Sequence, residues 1–307
     1  MRLASPRSRI AAVAKALPPH RYGQRELTDA FAAVVGLNGS GEGALLRRLH
    51  DNAGVASRHL ALPLERYPLD GFTQSNDEFV RVALDLAHEA LESALADAGC
   101  AASDIDVLVT ATVTGLAVPS LDARLVGRAG LRRDVKRLPL VGLGCVAGAA
   151  GLARGHDYLA GHPAGLVALI CVELCSLTVQ CDDRSTANLV ASGLFGDGAA
   201  CVLLAGPDHP LTAAHTPAVP QPGNSTVVVR PFDGDEAASR LSVLASRSRF
   251  YDDTERAMGF DVGEHGMRIV LDAVVPDLVR EHLRADLDGF LADLGLSRAD
   301  VGFYVAH

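Results

Sequence analysis

Residues 96–109, ADAGCAASDIDVLV, align without a gap on residues 292–305, ADLGLSRADVGFYV. Ala, Asp, Gly, Asp and a closing Val coincide; Asp104 falls opposite Asp300 and Ile105 opposite Val301. Each copy reads as a helix end, a glycine stop, an aspartate turn and an apolar strand. One helix–strand unit cannot bury its own apolar face, so two copies point to a duplicated α/β core.

The intervening segments fit such a core. IAAVAKALP reads as a strand, a helix follows near residues 24–35, and ALLRRLHDNAG forms another after the joint GLNGSGEG. The clearest helix spans residues 76–98, where Phe79, Val82, Leu86, Ala90 and Leu91 recur at helical spacing. Asn76 or Asp77 is placed to cap its start, and Gly99 to stop it. DIDVLVTATV and LVALICVEL read as buried strands, and KRLPLVG as a strand leading into the helix CVAGAAGLARGHDYLAG. SGLFGDGAACVLLAG reads as a helix end, a tight turn at Gly196-Asp197-Gly198 and a strand, with Asp197 as turn chemistry. Residues 207–226 are rich in Pro, Thr and Ala and read as a long connection. They divide the chain into 1–226 and a shorter 227–307 that closes on another strand.

Charge and composition exclude several functions. The net charge is −9 and no basic patch is dense enough for nucleic acid or an anionic membrane surface. No apolar run reaches the ~18 residues of a membrane span, so no membrane insertion is expected. The opening MRLASPRSRIAAVAKALPPH lacks the apolar core of a signal peptide, and a cytoplasmic location with six reduced cysteines is the expectation. Cys171, Cys175 and Cys181 have no CxxC spacing and no nearby histidine, which argues against a metal.

One thiol stands apart. Cys145 lies in LVGLGCVAGAAGLARG among Gly142, Gly144, Gly148 and Gly151. Three readings are open: core packing, a phosphate-cradling glycine loop, or a nucleophile. With Glu173 at a later strand end, GxGxxxG superficially fits a dinucleotide site, but the order of elements differs from a doubly wound nucleotide domain. A nucleophile accounts for more. In the first turn of a helix a thiol meets the positive end of the dipole and free N–H groups, which favour thiolate. Its small neighbours also leave room for an acyl carbonyl. His307 falls opposite Ala111 in the repeat, just past the second apolar strand, where an imidazole can take the thiol proton. Otherwise it is a solvated side chain.

GLGCVAGAAGL, ELCSLT (173–178), SGLFGDGAACVLLAG (192–206) and FYVAH together resemble the type III polyketide synthases, the chalcone/stilbene synthase-like family of the thiolase superfamily. VTGLAVPSLDARLVGRAGLR (113–132) is most similar to bacterial alkylpyrone and alkylresorcinol synthases. The resemblance implies an α/β thiolase-like fold, a duplicated βαβαβ-type core in five layers (αβαβα). Residues 1–226 would be the half with the nucleophile, and 227–307 a partial second half ending at the catalytic histidine. It further implies that Cys145 carries acyl chains as thioesters and that His307 activates the thiol and assists malonyl decarboxylation. Phe195 matches a gatekeeper aromatic. Thr178 and Val118 match cavity positions, Val118 on a loop that reaches the partner protomer. Arg48, beside Arg47, falls near the basic residues that contact coenzyme A phosphates, although Asn52 stands where a second basic residue is expected. Ile269 replaces a second gatekeeper aromatic, leaving room for a bulkier acyl chain.

The implied activity is iterative decarboxylative condensation of malonyl-CoA onto an acyl-CoA, of fatty type, then cyclisation to an alkylpyrone or resorcinol. The implied assembly is a homodimer, with coenzyme A thioesters as substrates and no cofactor. In the family the histidine is followed by a Pro-Gly-Gly loop, a helix, a strand and a catalytic asparagine. Their absence from the sequence gives the expectation of a C-terminally truncated chain that is poorly active or inactive alone. Two alternatives stand: a ketosynthase-III-like enzyme taking acyl carrier protein, and a non-catalytic homologue acting as a subunit partner.

Overall fold

The computed structural model describes residues 8–39, 41–213 and 241–306. In chain order the strands and helices are β1 (Ser8–Ala16), β2 (His20–Gly23), α1 (Gln24–Val34), α2 (Gly41–Asn52), β3 (Ser57–Leu60) and α3 (Gly71–Ala98). Then come β4 (Val107–Thr112), α4 (Leu121–Arg128), β5 (Lys136–Val141), α5 (Ala147–Gly161), β6 (Leu166–Leu174), α6 (Thr186–Leu194) and β7 (Asp197–Ala205). The last are α7 (Pro210–Ala213), β8 (Ser242–Val243), β9 (Met258–Gly263), β10 (Gly266–Leu271) and α8 (Val275–Asp293).

A mixed sheet in the order β5-β4-β6-β7-β1-β8 forms the centre. β4 is parallel to both β5 and β6, and the other pairs are antiparallel. The alternation of side chains along β6 divides its apolar run between two cores. Leu166, Ala168, Ile170 and Val172 join α3 residues Phe79, Ala83, Leu86, Ala90 and Leu91 in one core. Val167 and Leu169 pack on the opposite side with Val107, Val109 and α5 residue Leu159. A continuous hydrophobic strand is therefore two alternating faces, each covered by a helix.

α5 lies close to the sheet because its inner face is small. A Cβ added at Gly151 would stand 2.4 Å from Leu169 Cδ1, and one at Gly155 3.4 Å from Val167 Cγ1. This close approach fixes the height of the residues that lead into α5, Cys145 among them.

The repeat is visible in atomic detail at its caps. Gly99 and Gly295 have φ of 66° and 72°, the left-handed conformation that suits glycine at a helix end. Cys100 N–H donates to Leu95 O at 3.1 Å, and Leu296 N–H to Leu291 O at 2.8 Å. Asp104 Oδ2 then accepts Ala101 N–H at 2.9 Å, and Asp300 Oδ2 accepts Ser297 N–H at 2.8 Å. Beyond the caps the copies part. Residues 107–112 form a central strand, whereas Val301 is a lone bridge residue and residues 302–306 carry no strand.

Two local expectations are corrected. α3 begins at Gly71, not near Asn76. The Asn76 amide is instead used across the fold, donating to Leu116 O at 2.9 Å and accepting Leu116 N–H at 2.8 Å. Asp197 is the first residue of β7 and not a turn residue. The part of 207–226 beyond residue 213 lies outside the described residues. Among them, no helix is long and apolar enough to cross a membrane.

Gly151→Val is expected to lower stability by about 1–3 kcal/mol through overpacking against Leu169, read as a lower urea midpoint with an unchanged slope.

Candidate active site

The three parallel strands end on the same side of the sheet, and each delivers part of a site there, as open α/β sheets commonly do. β5 leads to Cys145, β4 to Thr114, and β6 to the segment Cys175–Thr178. Gly142 and Gly144 take φ of 82° and 56°, so the chain leaves β5 through two left-handed residues. That turn leaves Cys145 exposed in the single 3-10 turn Gly144–Val146, immediately before the 15-residue α5. The macrodipole of α5 favours negative charge near its start.

The ends of β4 and β6 are tied by one carboxylate. Glu173 accepts Val113 N–H at 3.0 Å, Thr114 N–H at 3.1 Å and the Thr114 hydroxyl at 2.6 Å. Burial raises its pKa, opposed by these bonds. Thr114 Oγ1 in turn accepts Leu174 N–H at 2.9 Å, so the two strand exits are held in fixed register.

A cavity of about 400 Å³ opens beside these strand ends, lined by residues from α1, β3, α3, α6, β10 and the segment 175–182. Thr178, Phe195 and Ile269 all line it. So do Cys175, whose thiol pKa is raised by burial first and then by Asp197, with Glu173 and the nearby Cys145 adding to it. Burial also pushes Cys171, deeper along β6, up to about 11. Neither thiol is poised to ionise at neutral pH.

The remaining expected residues are placed differently. Cys145 is not among the lining side chains; it follows β5, the neighbour of β4, and acts electrostatically on the lining residue Cys175. Val118 stands outside, 94% exposed. Arg48 lies exposed on α2, away from the lining. His307 lies outside the described residues.

Sequence reasoning missed a polar cluster in the cavity wall. Asp197, 6% exposed, accepts Ala61 N–H at 2.6 Å, Ser176 N–H at 2.8 Å and the Ser176 hydroxyl at 2.5 Å. The Tyr67 hydroxyl donates onward to Ser176 Oγ at 2.6 Å and accepts Leu62 N–H at 3.3 Å. Tyr67 and Ser176 both line the cavity. Burial raises the Asp197 pKa to about 6, with the Ser176 and Ala61 bonds and Arg58 opposing the rise. At neutral pH it is ionised and accepts from every donor around it. Its setting between two glycines hid this role; the only sequence signal was an acidic residue opening a strand otherwise made of small and apolar residues.

Asp197→Asn turns an acceptor into an N–H donor facing Ala61 N–H and Ser176, and is expected to cost about 1–3 kcal/mol at pH 7. The pH dependence has a defined sign. Asp197 is raised from 3.8 to about 6, so over that range the folded state holds a proton the unfolded state has lost. The contribution of Asp197 to stability therefore falls as pH rises from 3.8 to about 6. The Asn variant lacks this term. Its stability gap to the wild type widens towards pH 4 and narrows towards pH 7, as read from urea unfolding at each pH.

The profile described as chalcone and stilbene synthases, N-terminal domain, matches residues 2–208. A 1,3,6,8-tetrahydroxynaphthalene synthase of Streptomyces peucetius subsp. caesius is 50% identical over 299 residues, covering 97% of this chain and 72% of that protein. A 3,5-dihydroxyphenylacetyl-CoA synthase of Streptomyces toyocaensis is 31% identical over 98% of this chain and 71% of its own length. Among solved structures, the 1,3,6,8-tetrahydroxynaphthalene synthase of Streptomyces coelicolor A3(2), a bacterial type III polyketide synthase, superposes with a TM-score of 0.80 at 27% identity. That match covers 97% of this chain and 77% of the other. This chain therefore belongs to the chalcone and stilbene synthase family, the type III polyketide synthases, which are acyltransferases of thiolase-like fold.

Proposed function

We propose that the chain condenses malonyl-CoA iteratively on an acyl group held by Cys145. The observation that carries this is an exposed thiol between two left-handed glycines and the start of α5, beside a cavity of about 400 Å³. The Cys145 thiolate attacks a coenzyme A thioester carbonyl, forms a new thioester and expels the coenzyme A thiolate. A malonyl-CoA then loses carbon dioxide, and the electron pair left on its α-carbon attacks the acyl-Cys145 carbonyl. The carbon–sulfur bond breaks, Cys145 regains its thiolate, and the product leaves as a β-ketoacyl-CoA for the next round. His307 is assigned the Cys145 proton and the enolate oxygen. Arg47 and Arg48 on α2 are assigned the coenzyme A phosphates.

The favoured product is a tetrahydroxynaphthalene-type polyphenol built from malonyl units alone. Its naphthalene skeleton, oxygenated on alternate carbons, is what two-carbon condensation units leave behind. The Streptomyces peucetius relative of this name is 50% identical over 299 residues, 97% of this chain. The hydroxyls of Tyr67, Ser176 and Thr178 make part of the cavity wall polar. A second reading, a fatty acyl starter and an alkylpyrone or resorcinol product, is favoured by Ile269 and the apolar Leu27, Phe31, Leu69 and Phe72 in the same cavity.

Homodimerisation is supported by the sheet edge. β5 is the outer strand next to β4, and it is exposed along nearly its whole length. Leu138 and Val141 on it, with Leu116, Val118, Leu143 and Val146 around it, form an exposed apolar border. Open edges of this kind are covered in stable proteins. A second copy pairing along β5 would cover this one and bring the Val118 loop to the partner's site.

In any form of the protein that turns over, malonyl-CoA alone is expected to give an aromatic polyphenol with release of coenzyme A, and Cys145→Ala is expected to give none. A product formed only when a fatty acyl-CoA is added supports the second reading. Extension only of acyl carrier protein-bound malonate marks a ketosynthase-III-like enzyme, and no turnover marks a non-catalytic partner. In sedimentation, the wild type is expected as a dimer and Val141→Asp, which buries a charge at the pairing edge, as a monomer.

A further inference from the structure

The segment that carries Phe195 is held at alternate residues by side chains from a different part of the chain. Gln24, the buried first residue of α1, donates from Nε2 to Gly193 O at 2.7 Å. Arg58, on β3, donates from Nη1 to Phe195 O at 2.9 Å. The same guanidinium donates from Nε to Gln24 Oε1 at 3.1 Å, so the two anchors are linked. Two residues further on, Asp197 is buried within electrostatic reach of Arg58. The intervening Gly196 lies flat against the arginine stem, since a Cβ there would meet Arg58 Cβ and Cγ at 3.6 and 3.7 Å.

Gln24 is itself fixed from below. The Thr28 hydroxyl donates to Gln24 O at 2.7 Å, and its oxygen pairs with His50 Nδ1 at 2.8 Å. On the other side of the ring, His50 Nε2 lies 3.1 Å from Leu189 O on α6. The chain α6–Phe195–β7 is thus gripped at both ends by one continuous set of side chains from α1, α2 and β3. Arg58 is the only one of these that also lines the cavity together with Phe195.

We propose that Arg58, braced by Gln24, is the positioning residue that sets where the Phe195 ring stands in the cavity and thereby which acyl sizes pass it. This rests on the condensing activity and on Phe195 as the cavity gate. Arg58 bonds to the Phe195 carbonyl and to Gln24, not to reacting atoms. Its two bonds leave different nitrogens of one planar fork, a geometry that a lysine ammonium on a flexible stem cannot reproduce. Arg58→Lys therefore keeps the charge opposite Asp197 and removes the link between Gln24 and the gate.

The test uses the full chain with Arg58→Lys and, separately, Gln24→Met, which keeps bulk but loses the amide's bonds to Gly193, His50 and Arg58. Hydrogen exchange over residues 193–197 reads the anchoring without turnover, and is expected to speed up in both variants while β4 and β6 stay protected. Starter selectivity reads its consequence. The ratio of kcat/KM for a short over a six-carbon acyl-CoA is expected to fall by about tenfold in Arg58→Lys, through KM, with malonyl decarboxylation within about twofold of wild type. A merely structural loss would lower kcat for every starter alike and leave the ratio where it was. Unchanged exchange over 193–197, or an unchanged starter ratio in a folded Arg58→Lys protein, overturns the proposal. A wild type that turns over no starter at all overturns the condensing activity instead, and the exchange result still decides whether Arg58 anchors the gate.

Discussion

The buried carboxylate of Asp197 is the point on which the cavity wall depends. One of its oxygens accepts Ala61 N–H just after β3 and the Ser176 hydroxyl just after β6; the other accepts Ser176 N–H. Asp197 itself opens β7. Three segments far apart in sequence are therefore fastened at one anion. Burying that charge is costly, and the raised pKa records the cost; the donors and Arg58 offset it. An apolar side chain there would leave Ser176 N–H buried without this acceptor and Ala61 N–H with only its longer bond to Ser176 Oγ at 3.3 Å. The polarity of the position is imposed by the segments that meet at it, and not by turn geometry.

The thiol obeys a different constraint. Cys145 depends on two small-residue solutions in series: left-handed Gly142 and Gly144 turn the chain out of β5, and Gly151 and Gly155 let α5 settle onto Leu169 and Val167. The first pair points the side chain outward, and the second sets its height against the ends of β4 and β6. Glu173 then holds those two ends together through Val113, Thr114 and Leu174. A glycine-rich sequence that resembles a nucleotide loop is thus a packing device around a nucleophile position.

Much of this was legible in sequence, for reasons that can be named. β4 and β6 are buried on both faces, so their uninterrupted apolar runs identify them without any periodicity. The caps at Gly99 and Gly295 were legible because a helix stop is written in adjacent residues. What escaped is non-local. α3 begins before the asparagine that looks like its cap, because that asparagine bonds Leu116 across the fold. Asp197 looks like turn chemistry because its partners lie at residues 61 and 176, and nothing near Arg58 in sequence marks the Phe195 carbonyl it binds.

The two copies of the repeat show the same division within one chain. At the caps they agree down to the donor and acceptor atoms, since each cap closes on residues within a few positions of itself. Past the caps, residues 107–112 lie between β5 and β6 and form the middle of a sheet. Their counterparts near Phe303 and Val305 are equally apolar, yet exposed and unpaired by any strand among the described residues. β propensity is largely a measure of neighbours to pair with and pack against. Identical local chemistry therefore fixes where a helix stops, while a strand is completed only by what lies beside it. The cavity follows the same rule. Its shape comes from side chains that β3, β6 and β7 bring together, and a motif at Cys145 alone does not specify it.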